Sequence, residues 1–61
     1  MNKVIITWFY GDIKETSTFR SDMPFEYYEE LAGTGIECFS EKHNVPEHLV
    51  NVDILVKYIR K

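Results

Sequence analysis

The sequence predicts a small α+β domain with the element order β-β-α-β. Three observations support this: strand-forming runs on both sides of a Gly-Asp pair, an apolar stripe with helical spacing, and a later segment with period two. With 61 residues, the chain is expected to form a single domain over residues 1–61, because domains commonly have ~100–150 residues. The expected sheet has three antiparallel strands in the order 2-1-3, with the helix packed on one face.

A β-hairpin is expected first. Residues 3–10 are rich in the β-branched and aromatic side chains that favour strands. Gly11 and Asp12 form the pair that a two-residue turn requires, and residues 13–20 continue as a Thr-rich second strand. This turn fixes a register that pairs Tyr10 with Ile13, Trp8 with Glu15, Ile6 with Ser17 and Val4 with Phe19. Glu15 then lies on the apolar face, where we expect it at the rim with its carboxylate in water.

The register also assigns the two faces of the hairpin. The core face carries Val4, Ile6, Trp8, Tyr10, Ile13 and Phe19. The outer face carries Lys3, Ile5, Thr7, Phe9, Lys14, Thr16, Thr18 and Arg20. Trp8 is expected in the core beneath the helix, near Phe25, Tyr28, Ala32 or Ile36.

A helix is expected to follow the hairpin. Ser21 or Asp22 is the expected N-cap, with Pro24 in the first turn, where a missing N–H is tolerated. Asn44 is the expected C-cap, and Pro46 prevents the helix from continuing.

The apolar stripe of this helix includes two small residues. Apolar or small residues recur at positions 25, 28, 32, 35, 36 and 39, which is the spacing of a buried helical face. Gly35 lies on the stripe, where the absence of a Cβ lets the helix approach the sheet closely. The alternative is a pair of short helices interrupted near Gly33.

A third strand is expected after a short turn at residues 46–48. The apolar residues Val50, Val52, Ile54, Val56 and Tyr58 alternate with Asn51, Asp53, Leu55, Lys57 and Ile59. This period of two, together with the β-branched content, favours a strand over the alternative of a C-terminal amphipathic helix. The most apolar strand, residues 3–10, belongs in the centre of the sheet.

The cysteine content and the apolar runs restrict the expected compartment. Cys38 is the single cysteine, so an internal disulfide is excluded. No run reaches the ~18 apolar residues of a membrane-spanning helix. The apolar run after the N-terminus is too short for a signal peptide. A cytoplasmic location is therefore expected.

Patterns typical of catalytic or metal sites are nearly absent. Cys38, His43 and His48 have the spacing C-x4-H-x4-H, but a structural zinc site uses four ligands. Five helical residues also rotate His43 away from Cys38 by ~140°, which disfavours a Cys–His nucleophile pair as well. No metal, cofactor or enzymatic activity is expected.

Charge divides the chain into an acidic and a basic part. Residues 22–47 contain seven acids and one base (−6), whereas the remainder contains three acids and six bases (+3). The helix side opposite the apolar stripe carries Glu26, Glu30, Glu37 and Glu41. The outer sheet face carries the bases Lys3, Lys14, Arg20, Lys57 and Lys61. This distribution of charged residues, taken by itself, is also typical of ordinary solvent-exposed surfaces.

The outer sheet face also carries apolar side chains that no predicted element covers. They are Ile5, Phe9, Leu55 and Ile59, and they are expected to merge into one patch. Such a patch typically marks an interaction surface. The sequence therefore predicts a protein-interaction module: a small regulator or inhibitor that binds another protein, and itself as a homodimer, through this face.

Two alternative functions remain open. The first is binding of single-stranded nucleic acid by the basic sheet face, with Phe9 as a stacking platform. A net charge of −3 and a single outward aromatic residue weigh against it. The second is occupation of a partner's nucleic-acid cleft by the acidic side of the helix.

Overall fold

Three antiparallel strands and one helix make up residues 1–58, the part of the chain that the computed structural model describes. In chain order the elements are β1 (Asn2–Tyr10), β2 (Ile13–Ser21), α1 (Phe25–His43), a 3₁₀ turn (Glu47–Leu49) and β3 (Asn51–Tyr58). The strand order is β2-β1-β3, with β1 in the centre. The predicted fold class, element order and strand order are confirmed.

The β1–β2 hairpin has the predicted turn and register. Gly11 has a φ of 56°, in the left-handed region that glycine enters without a steric penalty. The four predicted pairs are present: Tyr10–Ile13, Trp8–Glu15, Ile6–Ser17 and Val4–Phe19. Val4 and Ile6 consequently face α1, and their exposed fractions are only 0% and 1%.

The N-terminus of α1 differs from the prediction. Pro24 is the N-cap, and no side chain caps the helix; the Pro24 carbonyl accepts a 3.0 Å hydrogen bond from Tyr27 N–H. The assignment of Ser21 or Asp22 is wrong because Pro24, with its ring-fixed φ of −66°, sets the start of the helix beyond both residues. Instead, the Ser21 hydroxyl accepts a 3.1 Å bond from Met23 N–H, and Asp22 pairs with the N-terminal amino group at 3.3 Å.

The rest of α1 follows the prediction. Asn44 is the C-cap, in the left-handed conformation, and its N–H bonds to the Ser40 carbonyl. The helix is continuous through Gly33 and Gly35, so the alternative of two shorter helices is wrong. A Cβ on Gly35 would overlap the Trp8 indole, 2.7 Å from Nε1. The predicted close approach of helix and sheet at Gly35 is therefore confirmed.

The core lies between α1 and the sheet. Its main buried cluster comprises Val4, Ile6, Tyr28 and Ala32, with Trp8, Phe19, Leu31, Ile54 and Val56 packed against it. The Trp8 indole is partly buried, and its Nε1–H donates a 2.9 Å hydrogen bond to the Ala32 carbonyl. This contact confirms the predicted position of Trp8 beneath the helix.

The predicted third strand is confirmed as β3, so the alternative of a C-terminal helix is wrong. Ile54 and Val56 pack toward α1. Two residues expected on the core side are mostly exposed: Phe25 at 50% and Tyr58 at 73%. Phe25 begins α1 and Tyr58 ends β3, and the neighbouring layer does not cover these ends.

Candidate functional site

The sheet face that points away from α1, here called the front face, is not covered by any other element of residues 1–58. Its side chains form four rows across the strands, each given in the order β2, β1, β3. The rows are Arg20–Lys3–Lys57, Thr18–Ile5–Leu55, Thr16–Thr7–Asp53 and Lys14–Phe9–Asn51. Ile59 and Lys61, also expected on this face, lie outside the described residues.

The apolar side chains of the front face fall into two groups. Ile5 and Leu55 lie directly opposite each other, and Leu55 is 44% exposed. Phe9, which is 37% exposed, lies two rows away, with Thr7 between it and Ile5. Residues four apart in a strand are separated by about 13 Å. The register therefore divides the predicted patch into an Ile5–Leu55 pair and a separate Phe9 ring.

A row of three cations crosses all three strands. Lys3 lies opposite Arg20 on one side and Lys57 on the other, and all three side chains are exposed. Directly opposite side chains have Cβ atoms ~4.5–5.5 Å apart, so like charges there destabilise a sheet. Within residues 1–58, no carboxylate forms an ion pair with these cations. The described chain thus leaves this positive charge uncompensated.

Phe9 borders a hollow at the hairpin end of the front face. The hollow has a volume of about 380 Å³ and is lined by Thr7, Phe9, Gly11, Asp12, Lys14 and Asp53. Asp53 places one carboxylate among the front-face cations. The alternation in β3 places Asp53 on the outer face, so this negative charge was predictable from the sequence.

The four predicted acidic residues of α1 share one exposed side of the helix. Glu26, Glu30, Glu37 and Glu41 are all exposed, and at 100° per residue they lie within an arc of about 60°. In the described part of the chain, none of the four forms an ion pair.

A groove that the sequence analysis missed runs between α1 and the inner side of β2. The helix packs mainly on β1 and β3, so Ser17 of β2 is exposed although it lies on the core face. Two hollows of about 500 and 340 Å³ share Trp8, Ser17 and Gly35 in their walls. The larger hollow is also lined by Tyr27, Leu31 and Thr34 of α1, by Phe19, Arg20 and Ser21 of β2, and by Ile6 and Met23.

Glu15 links β2 to the C-terminal end of α1 and lines the smaller of the two hollows. Its carboxylate accepts a 3.1 Å hydrogen bond from Lys42 Nζ and lies 2.6 Å from His43 Nε2. These two hydrogen bonds, with His43 contributing more than Lys42, hold the pKa of Glu15 below its ordinary value of 4.5. The predicted rim position is correct, but its partners lie 27 and 28 residues away and have no local sequence signal.

The residues considered for metal binding or nucleophilic chemistry are separated. Cys38 is an exposed free cysteine, His43 contacts Glu15, and His48 lies in the 3₁₀ turn. Among the described residues, no three His, Cys, Asp or Glu side chains are grouped so that they would hold a metal ion. Likewise, no helix in residues 1–58 is long and apolar enough to cross a membrane.

Comparisons with protein-family models, curated proteins and solved structures find no match to this chain. The functional interpretation therefore rests on the geometry and charge of these surfaces.

Proposed function

We propose that this protein is a protein-interaction module whose front face binds an acidic surface of another protein, as a small regulator or inhibitor would. The observation that carries the proposal is the row of three cations, which have no ion-pair partner within residues 1–58. This row lies beside the half-buried Ile5 and the exposed Leu55. Apolar side chains next to a polar, charged rim are the usual anatomy of a protein-binding surface.

The charge of the front face specifies the chemistry of the partner. The described front-face residues include four cations and one carboxylate. The cations are Lys3, Lys14, Arg20 and Lys57, and the carboxylate is that of Asp53. Carboxylates of a partner, placed over the cationic row, would replace like-charge repulsion by attraction. The Ile5–Leu55 pair and Phe9 would then supply apolar area that leaves water on binding.

Self-association through the same face is less favourable than binding to an acidic partner. A front-to-front homodimer would bring the cations of one copy toward those of the other, and like charges across an interface are repulsive. The predicted homodimer therefore remains a prediction, and a measurement of molecular mass by light scattering tests it.

Single-stranded nucleic acid is the second candidate, because three aligned cations also attract phosphates. Phosphate binding releases counterions, so its affinity falls steeply with salt concentration. A protein complex that buries Leu55 and Phe9 depends less on salt. Measuring the affinity at two salt concentrations with the front-face variants distinguishes the two.

The test combines a front-face variant with a matched control on the other side of the sheet. The double variant Phe9→Ser/Leu55→Ser removes both exposed apolar groups. Phe25→Ser is the control, because it makes the same change at a phenylalanine that is 50% exposed. Phe25 begins α1 and lines neither the front face nor the groove. Each protein is immobilised and exposed to a nuclease-treated extract, and the affinity of the retained protein is then measured by calorimetry.

The wild-type protein and Phe25→Ser should retain the same partner with similar affinity. The double variant should bind that partner at least about tenfold more weakly, which corresponds to about 1.4 kcal/mol, because it removes both exposed apolar groups of the front face. If the double variant keeps the wild-type affinity and mass, the front face is not the binding surface.

A further inference from the structure

We infer that the groove between α1 and β2 is a second binding site, and that its occupant is a basic amphipathic helix of a partner protein. This site lies on the opposite side of the sheet from the front face. Arg20, at the edge of β2, is the one residue that belongs to both surfaces, and the inference does not depend on the proposed function.

The sheet is wider than the single helix that packs on it. Three strands at a spacing of ~4.8 Å form a layer about 14 Å wide, whereas one helix with its side chains has a diameter of about 10–12 Å. Because α1 packs mainly on β1 and β3, the uncovered part of the layer lies over β2. A second helix at the usual distance of about 8–10 Å from α1 would lie above β2.

The flank of α1 that faces this space has the residue spacing of a helix-to-helix contact. Tyr27, Leu31, Thr34 and Cys38 line the two hollows and follow one another at intervals of four, three and four residues. This alternation is the spacing of a helix-to-helix seam. The small residues Thr34, Gly35 and Cys38 permit a close approach, and the flanking Tyr27 and Leu31 provide apolar contacts.

The charge next to this flank favours a basic occupant. Glu30, Glu37 and Glu41 border this flank on its solvent side and are exposed, and among residues 1–58 none has an ion-pair partner. A partner helix with lysine or arginine only along the edge next to these glutamates, and not along the edge next to Arg20 of β2, would complement them. A second copy of α1 would not, because this helix contains five glutamates and one lysine.

The groove also sets the length of the occupant. From Glu15 to Ser21, the stretch of β2 along the two hollows spans about 20 Å. A helix rises 1.5 Å per residue, so about 13 residues fill this distance. The Glu15 link to Lys42 and His43 stands at one end, whereas Met23, 48% exposed, lies at the other.

The test uses designed peptides as probes and Trp8 as the reporter. Trp8 is the single tryptophan and lines both hollows, so its emission responds to an occupant. A 14-residue Leu/Lys peptide carries leucines at the seam spacing; a Leu/Glu peptide and a scrambled Leu/Lys peptide are its controls. Thr34→Arg places a bulky cation in the groove from an exposed position, and Thr18→Arg makes the same change on the front face.

The Leu/Lys peptide should change the Trp8 emission saturably at about 150 mM salt, while the Leu/Glu and scrambled peptides should not. Thr34→Arg should weaken this binding at least about tenfold, and Thr18→Arg less than about twofold. Absence of saturable binding, equal binding of the Leu/Glu peptide, or greater sensitivity to Thr18→Arg would each overturn the inference. A wild-type dimer that Thr34→Arg dissociates would identify a second copy as the occupant and would also overturn it.

Discussion

Replacing Lys3 by glutamate should make the protein more stable and a weaker binder. Lys3 is the middle member of the cationic row, with Arg20 opposite on β2 and Lys57 opposite on β3. The substitution converts two like-charge pairs into two opposite-charge pairs without disturbing the core, because Lys3 is exposed. The same substitution removes a cation that we propose contacts an acidic partner.

The magnitude follows from the two cross-strand pairs. A directly opposite pair contributes about 0.2–1 kcal/mol, and solvent screening keeps exposed pairs toward the lower end of that range. Reversing the sign of both pairs should raise the free energy of unfolding by about 1 kcal/mol. For a domain of 61 residues, this corresponds to about 4–8 °C in Tm. Lys3→Gln removes the repulsion without adding attraction and should give roughly half of the gain.

Urea unfolding at low salt and again at about 1 M salt measures the effect, because the Debye length falls to about 3 Å at the higher concentration. The gain should be largest at low salt and nearly absent at high salt. If Lys3→Glu is no more stable than wild type at low salt, the three cations of the row do not destabilise the sheet by repelling one another. A stable variant with unchanged partner affinity would instead count against the front-face proposal.

Three further perturbations test other parts of the structure. Gly35→Ala should destabilise by about 1–2 kcal/mol, because overlap with the Trp8 indole outweighs the helix propensity that alanine gains. A Cβ at Gly33 meets open space, so Gly33→Ala should stabilise by about 0.5–1 kcal/mol. Thermal melts measure both variants, and a Tm that changes in the same direction in both would refute the close packing at Gly35. Tyr28→Phe removes a buried hydroxyl that has no hydrogen-bond partner among the described residues. The free energy of unfolding in urea should therefore stay equal or rise by up to about 1 kcal/mol. A decrease of about 1 kcal/mol or more would show that the hydroxyl has a partner. Glu15 has a lowered pKa in the folded state, so its stabilising contribution is present above the ordinary value of 4.5 and disappears as the pH falls through the folded pKa. Glu15→Gln should therefore lose less stability than wild type between about pH 6 and pH 3, and parallel stability curves would contradict this assignment.

The architecture was accessible from the sequence because its signals are local. The Gly11–Asp12 turn fixes the hairpin register, and the period-two register then determines which residues share a face. The stripe through Tyr28, Ala32 and Phe39 identifies the buried side of α1. The outward position of every described front-face residue follows from these local patterns alone.

The start of the helix shows where several local signals compete. Ser21, Asp22 and Pro24 each favour a helix boundary, and the sequence pattern does not rank them. Pro24 becomes the N-cap, whereas the Ser21 hydroxyl binds Met23 N–H within the preceding turn. The hydrogen bonds of the folded backbone decide the boundary.

The sequence by itself determined the elements, their pairing and the division between an acidic helix side and a basic sheet face. The tertiary structure alone decided the lateral position of α1 over the sheet, because that position depends on how side chains distant in sequence pack. The indole of Trp8 fits against Gly35 and bonds to the Ala32 carbonyl, which fixes one crossing point, and Glu15 reaches Lys42 and His43 at another. The groove over β2 follows from this placement, since a helix held toward β1 and β3 leaves part of β2 uncovered.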